Sequence, residues 1–356
     1  MASATSGEEA LGVLADVLPE ASLFAVDHSF TALVPWNDPT EDPRPLDGEL
    51  YEAIASTRTA EVDGWLWTPV RFGRFPLYVV RQPRGADDLE PWLKALLGIL
   101  FDRWLRFSDS LEVPRRRARM RVEAELQWSQ VRSRADRLGG FEIAGTLEPA
   151  YRVAGDIFDF ALNTRGVVTV FGLDAMGHGQ TSTLSSVLAM AAIRNARLSG
   201  GDLTHQMAAA DEALINEWGG DRFATIVGVE VSPTGLQVVN AGHEPLTVVT
   251  PNETSELQLD ADPPAGVRAG TTYRIQDLPP LQPNETLVLL SDGAGSARNR
   301  NGDLFGSERL IESLHTHRAL RPLPLVHELA REILAHSPDH LDDITVVAVA
   351  PVNGDV

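Results

Sequence analysis

Acidic side chains stand next to short apolar runs at several points in the second half of the sequence. They are Asp156 in AGDIFDF, Asp174 in LDAMGHG, Asp292 in LLSDG, and Asp342 with Asp343 in LDDITVV. Taken one at a time, each has an ordinary explanation, because aspartate is common in turns and at exposed strand edges. Taken together, strands would project them from one rim of a sheet. Carboxylates gathered without thiolates suit hard cations such as Mg²⁺ or Mn²⁺, so the pattern favours a divalent-metal site.

The composition removes several classes of protein. The 356 residues include no cysteine, which excludes disulfides, thiolate zinc sites, iron–sulfur clusters and a cysteine nucleophile. The formal net charge of −20 opposes binding to nucleic-acid phosphates or anionic lipid, so we expect neither partner. No apolar run is long enough to span a bilayer, and the first residues are acidic where a signal peptide is basic. These features predict a soluble, cytoplasmic protein.

Residues 139–356 combine short apolar runs with longer helical patterns. The predicted strands are Phe141–Leu147, Val167–Leu173, Phe223–Val231, Leu236–Asn240, Leu246–Val249, Thr286–Leu290 and Ile344–Ala350. Helical patterns at Thr181–Leu198 and Leu203–Trp218 follow each other directly, and a third covers about Leu325–His336. Two consecutive helices between strands argue against regular βαβ alternation. We therefore expect an α+β domain with mainly antiparallel sheets and helices packed outside them.

The first 110 residues predict a small mixed α/β domain. A helix is expected at Glu8–Val17, extended segments at Ser22–Val26, Trp65–Val70 and Pro76–Val80, and a longer helix from Leu89 to Phe107. This pattern is compatible with a sensory domain of the GAF or PAS type. A small packed domain without a ligand fits it equally well, because no set of residues marks a ligand pocket.

Residues 111–138 predict a helical linker between the two domains. Apolar residues recur at alternating intervals of four and three: Ala124, Trp128, Val131, Ala135 and Leu138. About two heptads is short for a coiled coil, which normally needs three or four. A homodimer through this seam and a simple amphipathic helix therefore both remain open.

The acidic positions lie within ordered motifs that carry a family resemblance. The motifs are AGDIFD at Ala154–Asp159, DAMGHG at Asp174–Gly179, NAGHEP at Asn240–Pro245, SDG at Ser291–Gly293, NGDLFG at Asn301–Gly306, and DDIT at Asp342–Thr345. Over about residues 120–350 the chain resembles metal-dependent serine/threonine phosphatases of the protein phosphatase 2C (PP2C) superfamily, in the bacterial branch typified by SpoIIE. The resemblance implies a two-layer antiparallel β-sandwich flanked by helices, with two Mn²⁺ or Mg²⁺ ions at one rim.

The resemblance also implies a role for each acidic residue. Asp156 and Asp174 would bind metal with help from the Ala175 carbonyl, and Asp292 and Asp342 would complete the site of the second ion; these four aspartates would be the catalytic set. Asp343, counted with the metal set, and Asp159 would orient the ligands.

The remaining motif residues have less specific expectations. His178 is either a proton donor to the leaving group or a turn residue between two glycines. His243 is expected to be structural, and Gly177 and Gly179 to let the backbone approach the metal site.

Some motif residues depart from the family pattern. Ala154 replaces the first glycine of a pair and Ser291 replaces threonine, but neither change removes a proposed ligand. The linker has Asp136–Gly140 where the family commonly has Leu-Leu-Pro. In the family, this helix controls metal binding and activity.

The function implied by the resemblance is that of a phosphoserine/phosphothreonine protein phosphatase using a water activated by two metal ions. Its substrate would be a phosphorylated anti-anti-sigma factor of the STAS type in a partner-switching pathway. One alternative is a catalytically silent regulator that keeps the phosphatase fold and binds a partner protein. Another is a structural metal site, or hydrolysis of a different phosphoester such as a nucleotide.

Overall fold

The computed structural model describes residues 15–36, 40–72, 75–105, 109–148, 151–152, 155–337 and 342–352. The chain divides into two compact units, Met1–Arg119 and Met120–Val356, which we call the N-terminal unit and the C-terminal unit. Their boundary falls inside the predicted linker. Across the described ranges, no helix combines the length and the apolar character needed to cross a membrane.

The N-terminal unit is built on an antiparallel sheet with the strand order β3-β2-β1-β6-β5-β4. Its strands are β1 (Ser22–Val26), β2 (Ala32–Pro35), β3 (Arg44–Pro45), β4 (Ala60–Val62), β5 (Trp65–Phe72) and β6 (Phe75–Pro83). Its helices are α1 (Gly48–Ala55), α2 (Pro91–Leu105) and α3 (Asp109–Glu112). The predicted strands and the long helix are present, whereas the helix predicted at Glu8–Val17 lies largely outside the described residues. A sensory role for this unit stays a prediction.

The C-terminal unit contains two antiparallel sheets. The first has the order β15-β12-β11-β10-β9 and the second the order β14-β13-β16-β17-β8-β7. The strands are β7 (Ala135–Leu138), β8 (Phe141–Glu148), β9 (Asp156–Leu162), β10 (Val168–Ala175), β11 (Ala224–Ser232), β12 (Gly235–Ala241), β13 (Thr247–Val249), β14 (Thr254–Glu256), β15 (Gln276–Leu278), β16 (Thr286–Leu290) and β17 (Ile344–Pro351). The helices are α4 (Val122–Gln130), α5 (Gln180–Leu198), α6 (Leu203–Trp218), α7 (Asp292–Ser296), α8 (Gly306–Thr316) and α9 (Pro322–His336). The predicted antiparallel α+β architecture is confirmed.

The two sheets pack face to face, and helices cover both outer faces. On β10, Val168 and Val170 point into the core between the sheets, whereas Phe171 and Leu173 point toward α5 and α6. On the other side of the sandwich, α9 packs on β8 and β17. Because side chains alternate along a strand, a sheet buried on both faces has near-continuous apolar runs. This explains why these strands could be located from the sequence.

The linker differs from its prediction. Only Val122–Gln130 of the expected seam is helical, and Ala135–Leu138 forms strand β7, which pairs with β8. Trp128, Val131 and Leu138 pack against the core between the sheets of their own unit. The apolar spacing that suggested a coiled-coil seam therefore reflects packing within the chain. The prediction of a helical linker over residues 111–138 is therefore wrong at Ala135–Leu138, which is a strand.

Candidate metal centre

The predicted ligands come from strand ends of both sheets that meet at one end of the sandwich. Asp156 begins β9 and pairs in register with Asp174 near the end of β10. Asp292 follows β16 after one intervening residue, and Asp342 and Asp343 directly precede β17. Neighbouring antiparallel strands begin and end at the same edge, so residues far apart in sequence are brought to one rim.

Asp156 is buried, with 2% of its surface exposed, and makes three hydrogen bonds with residues of β17, of α4 and of the loop before β17. Thr345 Oγ1 on β17 donates to Asp156 Oδ2 at 2.6 Å. Gln127 Nε2 on α4 donates to the Asp156 carbonyl at 2.5 Å. The Asp156 amide donates to Asp343 Oδ2 at 3.3 Å. The Asp343 carboxylate therefore orients Asp156 by binding the backbone amide of Asp156. This is the kind of positioning expected for Asp343.

The loops carrying Asp292 and Asp343 are joined by a neighbouring serine. Ser291 Oγ donates to the Asp343 carbonyl at 3.2 Å and accepts the Thr345 amide at 2.9 Å. Gly293 is required here because a Cβ atom on it would lie 2.0 Å from the Asp343 carbonyl oxygen. The glycine of the SDG motif thus permits two strand ends to approach each other.

The DAMGHG turn leads from β10 into α5. Ser182 Oγ donates to the Ala175 carbonyl at 2.8 Å, which leaves one lone pair of this predicted ligand oxygen for another partner. Gly177 and Gly179 have φ angles of 87° and 81°, and a Cβ on either would have no atom within 4 Å. These glycines serve the left-handed turn rather than the close backbone approach that we expected.

Carboxylates rather than basic side chains dominate the electrostatics of the described site. Burial, Asp174 and Asp343 raise the pKa of Asp156 well above its usual range. Burial, followed by Asp292, Asp342 and Asp343, raises the pKa of Asp174 to about 7. Burial and Asp342 raise the pKa of Asp292. Each shift combines the burial of a carboxylate with repulsion from its acidic neighbours.

Three of the aspartates face one open cavity of about 430 Å³. Its lining is Asp174, Met176, Gly177, His178, Phe223, Thr225, Asp292 and Asp342. Within the described ranges, no three acidic or histidine side chains are grouped closely enough to form a complete cation site by themselves. The donor set still fits a hard cation, because Mg²⁺ usually binds one or two carboxylates and keeps several waters.

Asp159 differs from its predicted role. It lies on the opposite face of β9 from Asp156, because the two are an odd number of residues apart. Both of its oxygens are engaged: Arg194 Nη2 donates to Oδ1 and Arg197 Nη2 donates to Oδ2, each at 2.7 Å. Arg194 Nη2 also donates to the Gln130 carbonyl at 2.6 Å. Asp159 therefore ties α5 and α4 to the sheet and does not orient the ligands.

The two motif histidines occupy different surroundings. His178 is exposed on the cavity wall. His243 is buried, which lowers its pKa to about 4. Asn240 Oδ1 accepts the His243 amide at 2.8 Å, and Asn240 Nδ2 donates to the His243 carbonyl at 3.0 Å. These bonds close the NAGHEP turn, in agreement with a structural role for His243.

Several residues of the site were not found from the sequence. Gln127 gave no signal, because one glutamine in a short helix has no motif. Thr225 lies directly opposite Asp174 in the β10–β11 pair. As a polar residue within an apolar strand it could have been noticed.

The antiparallel sandwich with an acidic rim defines a fold of the PP2C phosphatase class, and comparisons with known proteins agree. Residues 164–351, more than half of the chain, match the family described as stage II sporulation protein E (SpoIIE). The chain therefore belongs to the SpoIIE family. The matched range contains Asp174, Asp292 and Asp342, and Asp156 lies just before it.

Two solved structures share this fold. The SiaA-PP2C domain of Pseudomonas aeruginosa is 24% identical, with a TM-score of 0.50, and the match covers 60% of this chain and 85% of that one. The RsbU and RsbW domains of Rv1364c from Mycobacterium tuberculosis are 20% identical, with a TM-score of 0.52, covering 60% and 61%. Protein IcfG of Synechocystis is 28% identical over 123 residues, which are 34% of this chain and 19% of IcfG. The match thus spans only a small part of that relative.

Proposed function

We propose that the protein is a metal-dependent phosphatase that removes phosphate from phosphoserine or phosphothreonine in another protein. The proposal is carried by one observation: aspartates on or next to strands of both sheets face one open cavity, and no lysine or arginine is among its described lining residues. Such a set favours cation binding near neutral pH, and a reacting phosphoryl group needs cationic stabilisation as well. Membership of the SpoIIE family supports the same activity.

The chain offers oxygen ligands on two sides of the cavity. Asp174, Asp292 and Asp342 would hold divalent cations there, with Asp156 and the Ala175 carbonyl contributing from the β9–β10 side. When bound, two Mg²⁺ or Mn²⁺ ions would supply Lewis-acid activation of a water and neutralise phosphoryl charge. The hydrogen bond from Thr345 holds the Asp156 carboxylate in place. Less conformational entropy of this side chain is therefore lost when a metal ion binds.

Two further side chains on the cavity wall suit the reaction. His178 is exposed, and its imidazole could donate a proton to the serine oxygen as it leaves. The Thr225 hydroxyl, opposite Asp174, is available to donate to a phosphoryl oxygen.

The test is hydrolysis of p-nitrophenyl phosphate by the full-length chain, with Mn²⁺ or with EDTA. We expect turnover only with Mn²⁺ and a loss of about 100-fold or more in Asp174→Asn. Asp277→Asn is the matched control, because Asp277 is exposed on β15 and bonds to the side chain of Gln237. Metal-independent turnover, or equal loss in both variants, would contradict the proposal.

A catalytically silent regulator is the second candidate. It is favoured by one observation, that the described acidic and histidine side chains do not by themselves form a complete cation site. A folded protein without turnover in any divalent metal would support this candidate.

The substrate proposed here is a phosphorylated STAS-type anti-anti-sigma factor in the cytoplasm. This finer proposal rests on the resemblance of the motifs to the bacterial branch typified by SpoIIE. The test is to incubate the chain with such a phosphorylated protein in the presence of a nucleotide as competing substrate. Mass spectrometry then measures the loss of phosphate from the protein.

A further inference from the structure

A second cavity, of about 480 Å³, opens beside the acidic cavity, and Asp292 lines both of them. We call it the side groove. Its lining includes Glu244, Glu256, Leu290, Arg298, Leu304 and Leu310. None of these residues belongs to the metal centre described above. Because an extended chain advances about 3.3 Å per residue, a segment passing from one cavity into the other places its next few residues in the side groove.

One wall of the side groove is a hairpin between α7 and α8. Arg298 and Leu304 pair across an isolated antiparallel bridge. Asn299 Oδ1 accepts two backbone amides of the hairpin, each at 2.9 Å, and Arg298 Nη1 donates to a hairpin carbonyl at 2.9 Å. Leu304 is 45% exposed despite this order. The wall is therefore organised within the chain and presents an apolar side chain to the groove.

Acidic side chains and buried apolar side chains also line the side groove. Glu244 follows the turn closed by Asn240, and Glu256 ends β14. Burial raises the pKa of Glu244, and so does the negative charge of Asp292 and Glu256 nearby. Leu290 and Leu310, 7% and 8% exposed, also line the groove. A segment in the groove would thus meet both apolar surface and carboxylates.

We propose that the side groove docks the segment of the substrate protein that flanks the phosphorylated residue, and that this segment carries an apolar residue next to a basic one. The apolar side chain contacts Leu304, Leu290 and Leu310, and the basic side chain faces Glu244 and Glu256. Arg298 in the hairpin disfavours the reverse orientation. The inference rests on the proposed phosphatase function, because the segment enters from the acidic cavity.

The test compares synthetic nonapeptides with a central phosphoserine. One has leucine two residues away and arginine three residues away on both sides, and the other has glutamate in place of arginine. The full-length protein with Mn²⁺ is assayed for the ratio of kcat/KM on the two peptides. Fluorescence anisotropy of the labelled, unphosphorylated peptides measures docking separately from turnover.

We expect the wild type to prefer the arginine peptide by about five-fold or more, as one favourable exposed ion pair would provide. Glu256→Arg should reverse the preference. Glu253→Arg is the matched control, because it makes the same charge change in the turn before β14 at a residue outside the groove lining. This control should retain the wild-type preference.

Equal use of both peptides by the wild type, or the same reversal in Glu253→Arg, overturns the docking proposal. Turnover of p-nitrophenyl phosphate without peptide discrimination rejects the groove and leaves the phosphatase function standing. A preference seen in anisotropy and reversed by Glu256→Arg, in a protein that hydrolyses neither peptide nor p-nitrophenyl phosphate, supports the groove and rejects the phosphatase function.

Discussion

At the scale of single residues, Asp174 is an example of a site residue whose negative charge lowers the stability of the fold. Burial and three neighbouring carboxylates raise its pKa to about 7, so the charged form is disfavoured by its surroundings. Asp277, in contrast, is exposed on edge strand β15 and is not among the lining residues of the cavity.

Replacing Asp174 by asparagine should stabilise the metal-free protein and abolish its response to metal. Removing one repelled charge at pH 8 is expected to raise the free energy of unfolding by about 1–2 kcal/mol, or the melting temperature by a few degrees. The rise in melting temperature caused by Mn²⁺ should be lost. Thermal melts by circular dichroism in EDTA and in Mn²⁺ measure both effects, with Asp277→Asn as the control. A lower melting temperature in EDTA together with an unchanged Mn²⁺ response would show that Asp174 is not a ligand.

At the scale of elements, the site depends on how closely strand ends and helices approach. The β16 and β17 ends meet through Ser291 and Gly293, and α5 is tied to β9 through Asp159. Such contacts can change the position of a metal ligand even when the contacting residue is not itself a ligand.

Gly293→Ala should disrupt the site although no ligand is changed. The added Cβ would lie 2.0 Å from the backbone oxygen of Asp343, so the loop carrying Asp342 must move. Gly295→Ala in the same short helix is the control, because its nearest neighbour, Leu310 Cδ1, lies at an ordinary 3.6 Å. We expect a loss of about ten-fold or more in Mn²⁺ affinity for Gly293→Ala, read by titration of the melting temperature. Equal Mn²⁺ affinity in the two variants would contradict this explanation.

Asp159→Ala should destabilise the C-terminal unit strongly. Arg194 and Arg197 are 8% and 4% exposed, and the substitution would leave both without their carboxylate. The expected cost is about 3–5 kcal/mol in the free energy of unfolding. Denaturant unfolding measures it. Asp260→Ala removes an exposed carboxylate 3.7 Å from Arg274 and should cost less than about 1 kcal/mol. Similar costs for the two variants would mean that the Asp159 network is not needed for stability.

At the scale of the whole molecule, the stability of the fold depends on pH through buried ionisable groups. The buried His243 and the aspartates of the site, such as Asp174, change the stability in opposite directions. His243 has a folded pKa of about 4 and an unfolded pKa of about 6.5, so its contribution is present above pH 6.5 and is lost as the pH falls toward 4. Asp174 has a folded pKa of about 7, far above its unfolded value, so its contribution is present in acid and is lost as the pH rises through 7. Between pH 4 and 6.5 the two contributions oppose each other.

In the variant His243→Gln, the contribution of Asp174 to the pH dependence of stability should no longer be opposed by that of His243. In EDTA, the free energy of unfolding of this variant should increase more steeply than that of the wild type as the pH is lowered from 6.5 to 5. The difference in slope is at most about 1.4 kcal/mol per pH unit, the value for one proton. Urea unfolding at several pH values checks it, and identical slopes would show that His243 is not buried in its neutral form.

The sequence patterns did not predict strand β9, which carries Asp156, or helix α8. The amino-acid sequence by itself determined most of the longer strands, the main helices and the identity of the acidic residues at the rim. Those features follow from local periodicity and from short motifs, which need no knowledge of distant residues. The tertiary structure decided which of these residues act together. Thr345 reaches Asp156 across 189 positions of sequence, and Ala135–Leu138, which the heptad spacing assigned to a helix, pairs with β8 as a strand. Asp159 lies on the face of β9 opposite Asp156, where Arg194 and Arg197 of α5 compensate its charge, a contact between separate elements that no local pattern encodes.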